Sequence, residues 1–458
     1  MEGDDVDDGT MSRTPSINRR RFIRTTAAAA LSAPWLVQAA EGPFQATGTR
    51  VGEVTDTTAI VWTRLTQAQV RNNQGVSFDK PKKVKGAKEK QQEVPAVHEV
   101  EGACPAASGK ARVRYGLKED LSDAVETPWV EVSVEKDGIH HFKLSGLKPG
   151  STYHYVSETG GGSFKGKFHT APEPATPTEL RFCVMTCQGY QDRDHADGHP
   201  IYPSMTALDP RFIVMTGDLV YYDSNPPRAV SPALARLHWE RMFSLPRLME
   251  ATRNTSTYWL KDDHDTLTND SWPGMKAGEL TFGEGIKIFR EQTPIGERDF
   301  RTIRWGRDLQ VWFKRTVKES TATWKVLVSP TPLVGPDRGN KNDNHSNEGF
   351  THEGDEIRTW LKENVPDNFF VVCGDRHWQY HSVHPTAGVQ EFSVGPASNS
   401  HASGSPGEDK TYHKFHRVKG GFLCVELKAN GKESEIGFQL RGVDGEVGYE
   451  AKFKRAAA

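Results

Sequence analysis

Three short apolar runs constrain this chain more than any other feature. They are Arg181-Phe182-Cys183-Val184-Met185, Arg211-Phe212-Ile213-Val214-Met215 and Phe369-Phe370-Val371-Val372-Cys373. After the leading arginines every side chain is apolar, so these segments predict strands buried on both faces. Each run gives way at once to polar residues: Cys187-Gln188 after the first, Gly217-Asp218-Leu219-Val220-Tyr221 after the second, Gly374-Asp375-Arg376-His377 after the third. A further polar group, Asp262-Asp263-His264-Asp265 with Asn269-Asp270, lies between them in the chain. Strands of one sheet carry their terminal residues to a shared edge, where distant segments can converge on a site. A dinuclear metal centre needs convergence of this kind.

Around these runs, apolar strands alternate with longer crossovers. Residues 236–243 and 354–364 have helical periodicity, the latter with Ile357, Trp360 and Leu361 at i, i+3 and i+4. Phe392-Ser393-Val394 and the segment 422–427 supply further strands. A mixed α/β (α+β) domain with stacked sheets is expected over residues 180–455.

The preceding segment, 43–172, reads as an all-β module. Residues 58–63, 111–115 and 140–144 are short strands of partly alternating polarity, and 147–155 is a turn feeding a strand with alternating aromatics. This is the pattern of late strands in a fibronectin/Ig-like β-sandwich. Residues 72–92, rich in Lys, Gln, Asn and Gly, predict an exposed insertion. The proline-dense stretch 173–179 is the expected linker between two units that fold on their own. Residues 1–40 read as processing sequence: Arg19-Arg20-Arg21 precedes a weakly apolar stretch and Val37-Gln38-Ala39, a small-residue cleavage site. The acidic residues 2–8 sit upstream of that basic region, so translation could begin at Met11.

The chain of 458 residues carries 58 Lys and Arg against 60 Asp and Glu, a net charge of −2. That balance offers no extended basic face and argues against nucleic acid as a stable partner. No uninterrupted apolar run reaches the roughly 18 residues of a membrane span, so no membrane partner is expected. The five cysteines are odd in number and scattered, which argues against a disulfide framework. Cys183, Cys373 and Cys424 lie in apolar strands and read as core residues. Cys187 differs, flanked by Thr186 and Gln188 where a strand meets a loop.

The chemistry centres on Asp218. A carboxylate at a strand end can reach two metal ions roughly 4 Å apart, the arrangement that clamps both oxygens of a displacement at phosphorus; alone, it could equally be a turn residue. Tyr221, three residues on, is close enough to reach the same ion as a phenolate, which calls for a hard, highly charged metal such as Fe³⁺. Asp375 and His377 leave their strand on the same side, with Gly374 clearing space for the turn. His264 is either a loop histidine held by its neighbouring aspartates or the group that protonates a leaving oxygen. Asn269 offers a neutral carbonyl ligand.

Together these elements resemble the PhoD-type branch of the metallophosphoesterase superfamily, the alkaline phosphatase D proteins. The resemblance spans essentially the mature chain, including the preceding β-sandwich and a twin-arginine export signal. It implies a four-layer α/β/β/α catalytic sandwich. It also implies an iron site formed by Cys187, Asp218 and Tyr221 and closed by Asp375, with Asp218 as the bridge. Asn269 and His377 would serve a second ion, often calcium, with other divalent metals able to take that place. His264 matches the family histidine beside the phosphate. The stretch 329–345 resembles a subgroup of the family, in which Arg338, Lys341 and His345 either contact substrate oxygens or belong to a structural loop.

One departure stands out: Trp312 passes straight into 313–318 without the acidic, arginine-bearing segment usual in such relatives. The function implied is hydrolysis of a phosphate monoester or diester by metal-bound hydroxide. The enzyme would be exported by the twin-arginine translocase to the periplasm, cell envelope or exterior. The alternative is an envelope binding protein that keeps the scaffold without turnover; a nuclease would need salt-dependent DNA retention.

Overall fold

The three apolar runs are strands of two facing sheets. The computed structural model describes residues 42–79, 93–296, 303–306, 309–311, 315–365 and 367–457. Leu180–Met185 and Phe212–Thr216 lie side by side in parallel, Phe212 opposite Phe182 and Met215 opposite Met185. Ser256–Leu260 continues the parallel set on the far side of Phe212–Thr216. The meander Gly421–Asn430, Glu433–Gly442 and Val447–Ala456 adds three antiparallel strands on the other flank. The third run, Phe369–Cys373, is central in a second, seven-stranded sheet, between Trp324–Ser329 and Gln390–Val394.

Strand periodicity assigns each face its partner. Phe182, Val184, Phe212 and Val214 point between the sheets, where they meet Trp324, Val326, Phe370, Val372 and Phe392. The alternate residues Cys183, Met185, Ile213 and Met215 point the other way, into a core shared with helices Ile201–Thr206, Pro232–Phe243, Pro246–Asn254 and Phe282–Gln292. On the outer face of the second sheet, Phe369 and Val371 pack with Leu361 of helix Thr351–Asn364. The layers are therefore helix, sheet, sheet, helix, and covering both faces explains why the strands could be apolar throughout. Cys183, Cys373 and Cys424 are buried core residues, as expected. Among the described residues no helix is long and apolar enough to cross a membrane.

The N-terminal β-rich part is a sandwich with its own core. Thr49–Gly52, Thr58–Arg64 and Ile139–Ser145 face a five-stranded sheet through Val51, Val61, Val113, Phe142, Tyr153 and Phe168. The sandwich is also joined to the rest of the chain. Thr49–Gly52 pairs in parallel with Ser256–Leu260, Gly52 opposite Thr257, so the three strands complete a nine-stranded sheet. Charges also cross the expected boundary: buried Arg64 pairs with Asp137 at 2.9 Å and with Glu240 of helix Pro232–Phe243 at 2.8 Å. The described residues form one compact unit.

Within the expected insertion, Val76 bridges to Val100 and Phe78 joins the helix-side core, so residues 72–79 are anchored. Residues 80–92, the leader 1–40 and the segment following Trp312 as far as 314 lie outside the described residues.

Candidate metal centre

The site begins with backbone geometry at the carboxyl ends of the strands. Cys187, Asp218 and Asp375 have φ of 51°, 55° and 59°. Left-handed backbone costs a residue with a Cβ on the order of 1–2 kcal/mol and persists only where surrounding structure enforces it. Here each such residue stands two positions beyond a buried strand, and each turns its side chain into the same space. Gly374 is required by contact: a Cβ there would lie 2.7 Å from both the Thr186 and Thr216 hydroxyls and 2.8 Å from the Pro330 carbonyl. The two sheets are thus pinched together beneath the site.

Three groups of potential ligands result, the donor atoms of each lying within 4.8 Å of one another: Cys187, Asp218 and His377; Asp218, Asp262 and Asp375; Asp218, Asp263 and His264. Asp218 belongs to all three. Its Oδ2 is 3.4 Å from Cys187 Sγ and accepts from the Tyr221 hydroxyl at 3.0 Å. The same hydroxyl lies 3.3 Å from His377 Nε2. His377 therefore stands beside Cys187, Asp218 and Tyr221, while Asp375 stands with Asp262.

Electrostatically this cluster is unfinished. Burial pushes the carboxyl groups of Asp218 and Asp262 well above the usual range, and raises Asp375 to about 6. Burial, followed by the nearby Asp218 carboxylate, likewise drives the Cys187 thiol and the Tyr221 phenol upward. Burial holds His377 well below its ordinary value, with the neighbouring His264 and Arg338 acting in the same direction, which keeps its imidazole neutral as a ligand must be. Among the described residues, buried Asp218 Oδ1 and Asp262 Oδ2 have no hydrogen-bond partner. Bound cations would reverse these costs, since a metal's own charge dominates local pKa values. The donor sets also fit: sulfur, phenol and imidazole on one side of Asp218, carboxylate oxygens on the other.

His264 borders the cluster with its Nδ1 2.8 Å from Asp223 Oδ1. Burial alone would lower its pKa, but Asp218 and the Asp223 hydrogen bond outweigh that and raise it to about 10. Asn269 is exposed on the rim, and its backbone N–H donates to Asp223 Oδ2 at 2.9 Å. Lys341 reaches Asn269 Oδ1 at 3.5 Å and is held by Asp343 at 3.1 Å and by Asp270. The Arg338 guanidinium lies over Trp378, 5.5 Å from the ring centre, and its charge is felt at His377. His345 contacts helix Thr351–Asn364. Its Nε2 lies 3.3 Å from Glu353 on an exposed face, a loop-to-helix contact.

Several neighbours of the site received no role from the sequence. Asp262 follows strand Ser256–Leu260 as Asp218 follows its own strand, so the same rule would have found it. Asp223 shows no local signal. Arg376, fully buried, pairs with Asp375 at 2.6 Å and Asp337 at 2.8 Å, joining the loop before helix Thr351–Asn364 to the site. His401 Nε2 lies 3.0 Å from the Tyr221 hydroxyl and 3.2 Å from His377 Nε2.

Comparison with known proteins agrees with this architecture. Residues 29–172 match the N-terminal domain of PhoD-like phosphatases, and residues 290–419 match the PhoD-like phosphatase domain. A solved structure titled "Structure of PhoD" is 15% identical, with a TM-score of 0.68 over 93% of this chain and 92% of that one. Purple acid phosphatase PPD1 from seeds of yellow lupin (Lupinus luteus) is 12% identical, with a TM-score of 0.59 over 88% of this chain and 73% of that one. At these identities the two structures testify to the fold alone. No curated protein sequence gives a significant match. The family matches flank a segment, 173–289, that holds Cys187, Asp218, Tyr221, His264 and Asn269, whose grouping rests on the geometry above. With both of its parts matched in their family order and the fold shared end to end, this chain belongs to the PhoD-like phosphatases.

Proposed function

We propose that the protein is an exported, metal-dependent phosphoric ester hydrolase acting on monoesters or diesters at a two-cation centre. The observation that carries this reading is Asp218, common to three ligand groups and buried with one carboxylate oxygen unpartnered. Cys187, Tyr221 and His377 on one side suit iron, and Asp262 and Asp375, with Asn269 at the rim, suit calcium or another divalent ion. Metals held there would stabilise phosphoryl charge and bring the pKa of water from 15.7 toward about 7.

The remaining steps belong to side chains. Asp223 takes up Nδ1 of His264 and leaves Nε2–H to protonate the departing alcohol oxygen. Arg338, whose charge is felt at His377, binds a phosphoryl oxygen there, and its stacking on Trp378 limits its rotation. Lys341, already tied to Asp270 and Asp343, serves by positioning Asn269. The paired-arginine leader supports export.

The test is hydrolysis of an aryl phosphate and its diester at alkaline pH with iron and calcium supplied. Wild-type protein should turn over at least one of them. Asp218→Asn should lose at least a thousandfold in kcat together with bound metal, and His264→Ala should lose roughly a hundredfold or more with metal retained. Metal-loaded wild type inactive on both esters would overturn the reading. The binding-protein alternative rested on the connection after Trp312, outside the described residues, and no structural observation favours it.

A further inference from the structure

We propose that His401 is a further ligand of the cation held by Cys187, Asp218, Tyr221 and His377, with Asp192 as the residue that orients its ring. This inference rests on the metal-centre reading above and extends it to a residue outside the ligand set that the family resemblance implies.

The geometry is that of a built contact. The His401 side chain is only 9% exposed, with its ring centre 4.3 Å from that of His377 and 5.1 Å from that of Tyr221. Its Nδ1 lies 2.8 Å from Asp192 Oδ2. A carboxylate there can only accept, so Nδ1 carries the proton and Nε2 presents its lone pair toward Tyr221 and His377. A carboxylate behind a histidine in this way fixes tautomer and orientation in metal sites. Gly189 makes room for the pair: a Cβ at that position would stand 2.8 Å from Asp192 Oδ2 and 3.0 Å from His401 Nδ1.

The loop bearing His401 is held on both sides. Asn399 N–H donates to Asp194 Oδ2 at 2.7 Å, Ser400 Oγ to the Asp192 carbonyl at 2.8 Å, and Ser403 N–H to the His377 carbonyl at 3.1 Å. The ring is thus placed by backbone contacts before any ion arrives.

Proton bookkeeping then points to a cation. The Tyr221 hydroxyl, with a single proton, lies 3.0 Å from Asp218 Oδ2, 3.0 Å from His401 Nε2 and 3.3 Å from His377 Nε2. The two imidazole Nε2 atoms are themselves 3.2 Å apart. One hydrogen cannot serve them all, whereas one positive ion can meet every lone pair together.

The experiment uses the full chain loaded with Co²⁺ or with Fe³⁺ and compares wild type with His401→Ala, His401→Gln, Asp192→Asn and the distant His345→Ala. Affinity is measured by chelator competition, and coordination by the visible absorption of cobalt and of iron-bound phenolate. His401→Ala and His401→Gln should weaken binding about a hundredfold and change both spectra. Asp192→Asn, close in size, should weaken it about tenfold and carries the test if the His401 variants fail to fold. His345→Ala should match wild type. Unchanged affinity and spectra in the His401 and Asp192 variants would overturn the inference, and so would a change confined to KM for an aryl phosphate, which would make His401 a substrate contact. Wild type that binds neither metal would sink the metal-centre reading itself, a distinguishable failure.

Discussion

Replacing Gly374 by alanine tests the claim that the two sheets are pinched together under the site. The added Cβ would sit 2.7 Å from Thr186 Oγ1, 2.7 Å from Thr216 Oγ1 and 2.8 Å from the Pro330 carbonyl. All three neighbours would have to retreat by about half an ångström, overpacking of a kind that costs roughly 1–3 kcal/mol. The hydroxyls cannot retreat without consequence, because Thr186 donates to the Gly217 carbonyl at 3.2 Å and Thr216 to the Met185 carbonyl at 3.1 Å. Weakening both adds about 1 kcal/mol each. Reduced freedom of the unfolded chain returns roughly 0.4–1 kcal/mol. The net expectation is a loss of about 3 kcal/mol, more than a hundredfold in the folded-to-unfolded ratio. Urea unfolding followed by tryptophan fluorescence measures it, with Gly339→Ala as the control, since nothing lies within 4 Å of a Cβ at Gly339. Gly374→Ala within 0.5 kcal/mol of the control would refute the pinch.

Two further outcomes follow from buried groups. His199 is fully buried, its Nε2 3.2 Å from the Gly189 carbonyl, and burial lowers its pKa from 6.5 to about 3. The unfolded chain therefore binds a proton there first as pH falls below about 6.5, and stability present above that value is lost toward pH 3. From pH 6.5 to 5 the loss amounts to about 1.6 kcal/mol. His199→Gln should flatten the pH dependence of the urea midpoint by that amount; an unchanged slope would count against it. Glu391, fully buried, accepts from the backbone N–H groups of Leu333, Val334 and Gly335 at 2.6, 2.9 and 2.9 Å and from Tyr380 at 2.8 Å. Glu391→Gln sets an NH₂ against two of these donors and should cost roughly 3–5 kcal/mol. Faster hydrogen exchange at residues 333–335 would show it, and undiminished protection would refute it.

What could be read in advance follows from how local each signal is. Asp218, Asp375 and Cys187 stand just past apolar strands, and the hydrophobic pattern that predicts a strand also predicts where its end delivers a side chain. His401 lies in a polar stretch rich in Gly and Ser, where no periodicity points anywhere, and its place is set by contacts to residues 192–194 some two hundred positions away. The same limit applies at Asp375 and His377: alternation places both on one side of a strand, but the left-handed turn at Asp375 is a tertiary outcome. His345 shares a polar segment with Arg338 and Lys341, yet helix Thr351–Asn364 draws it aside through Glu353. Linker composition foretold a hinge at 173–179 and could not foretell that strand Thr49–Gly52 pairs with Ser256–Leu260.

That pairing limits how the molecule can be divided. A version cut at the proline-rich stretch would forfeit the neighbour of Gly52, strand the Glu240 carboxylate without Arg64, and uncover a β edge ready to recruit another chain. Severed halves should therefore clump when made alone, and the shorter upstream piece is better regarded as a flank of the hydrolytic body than as an appendage borrowed from elsewhere.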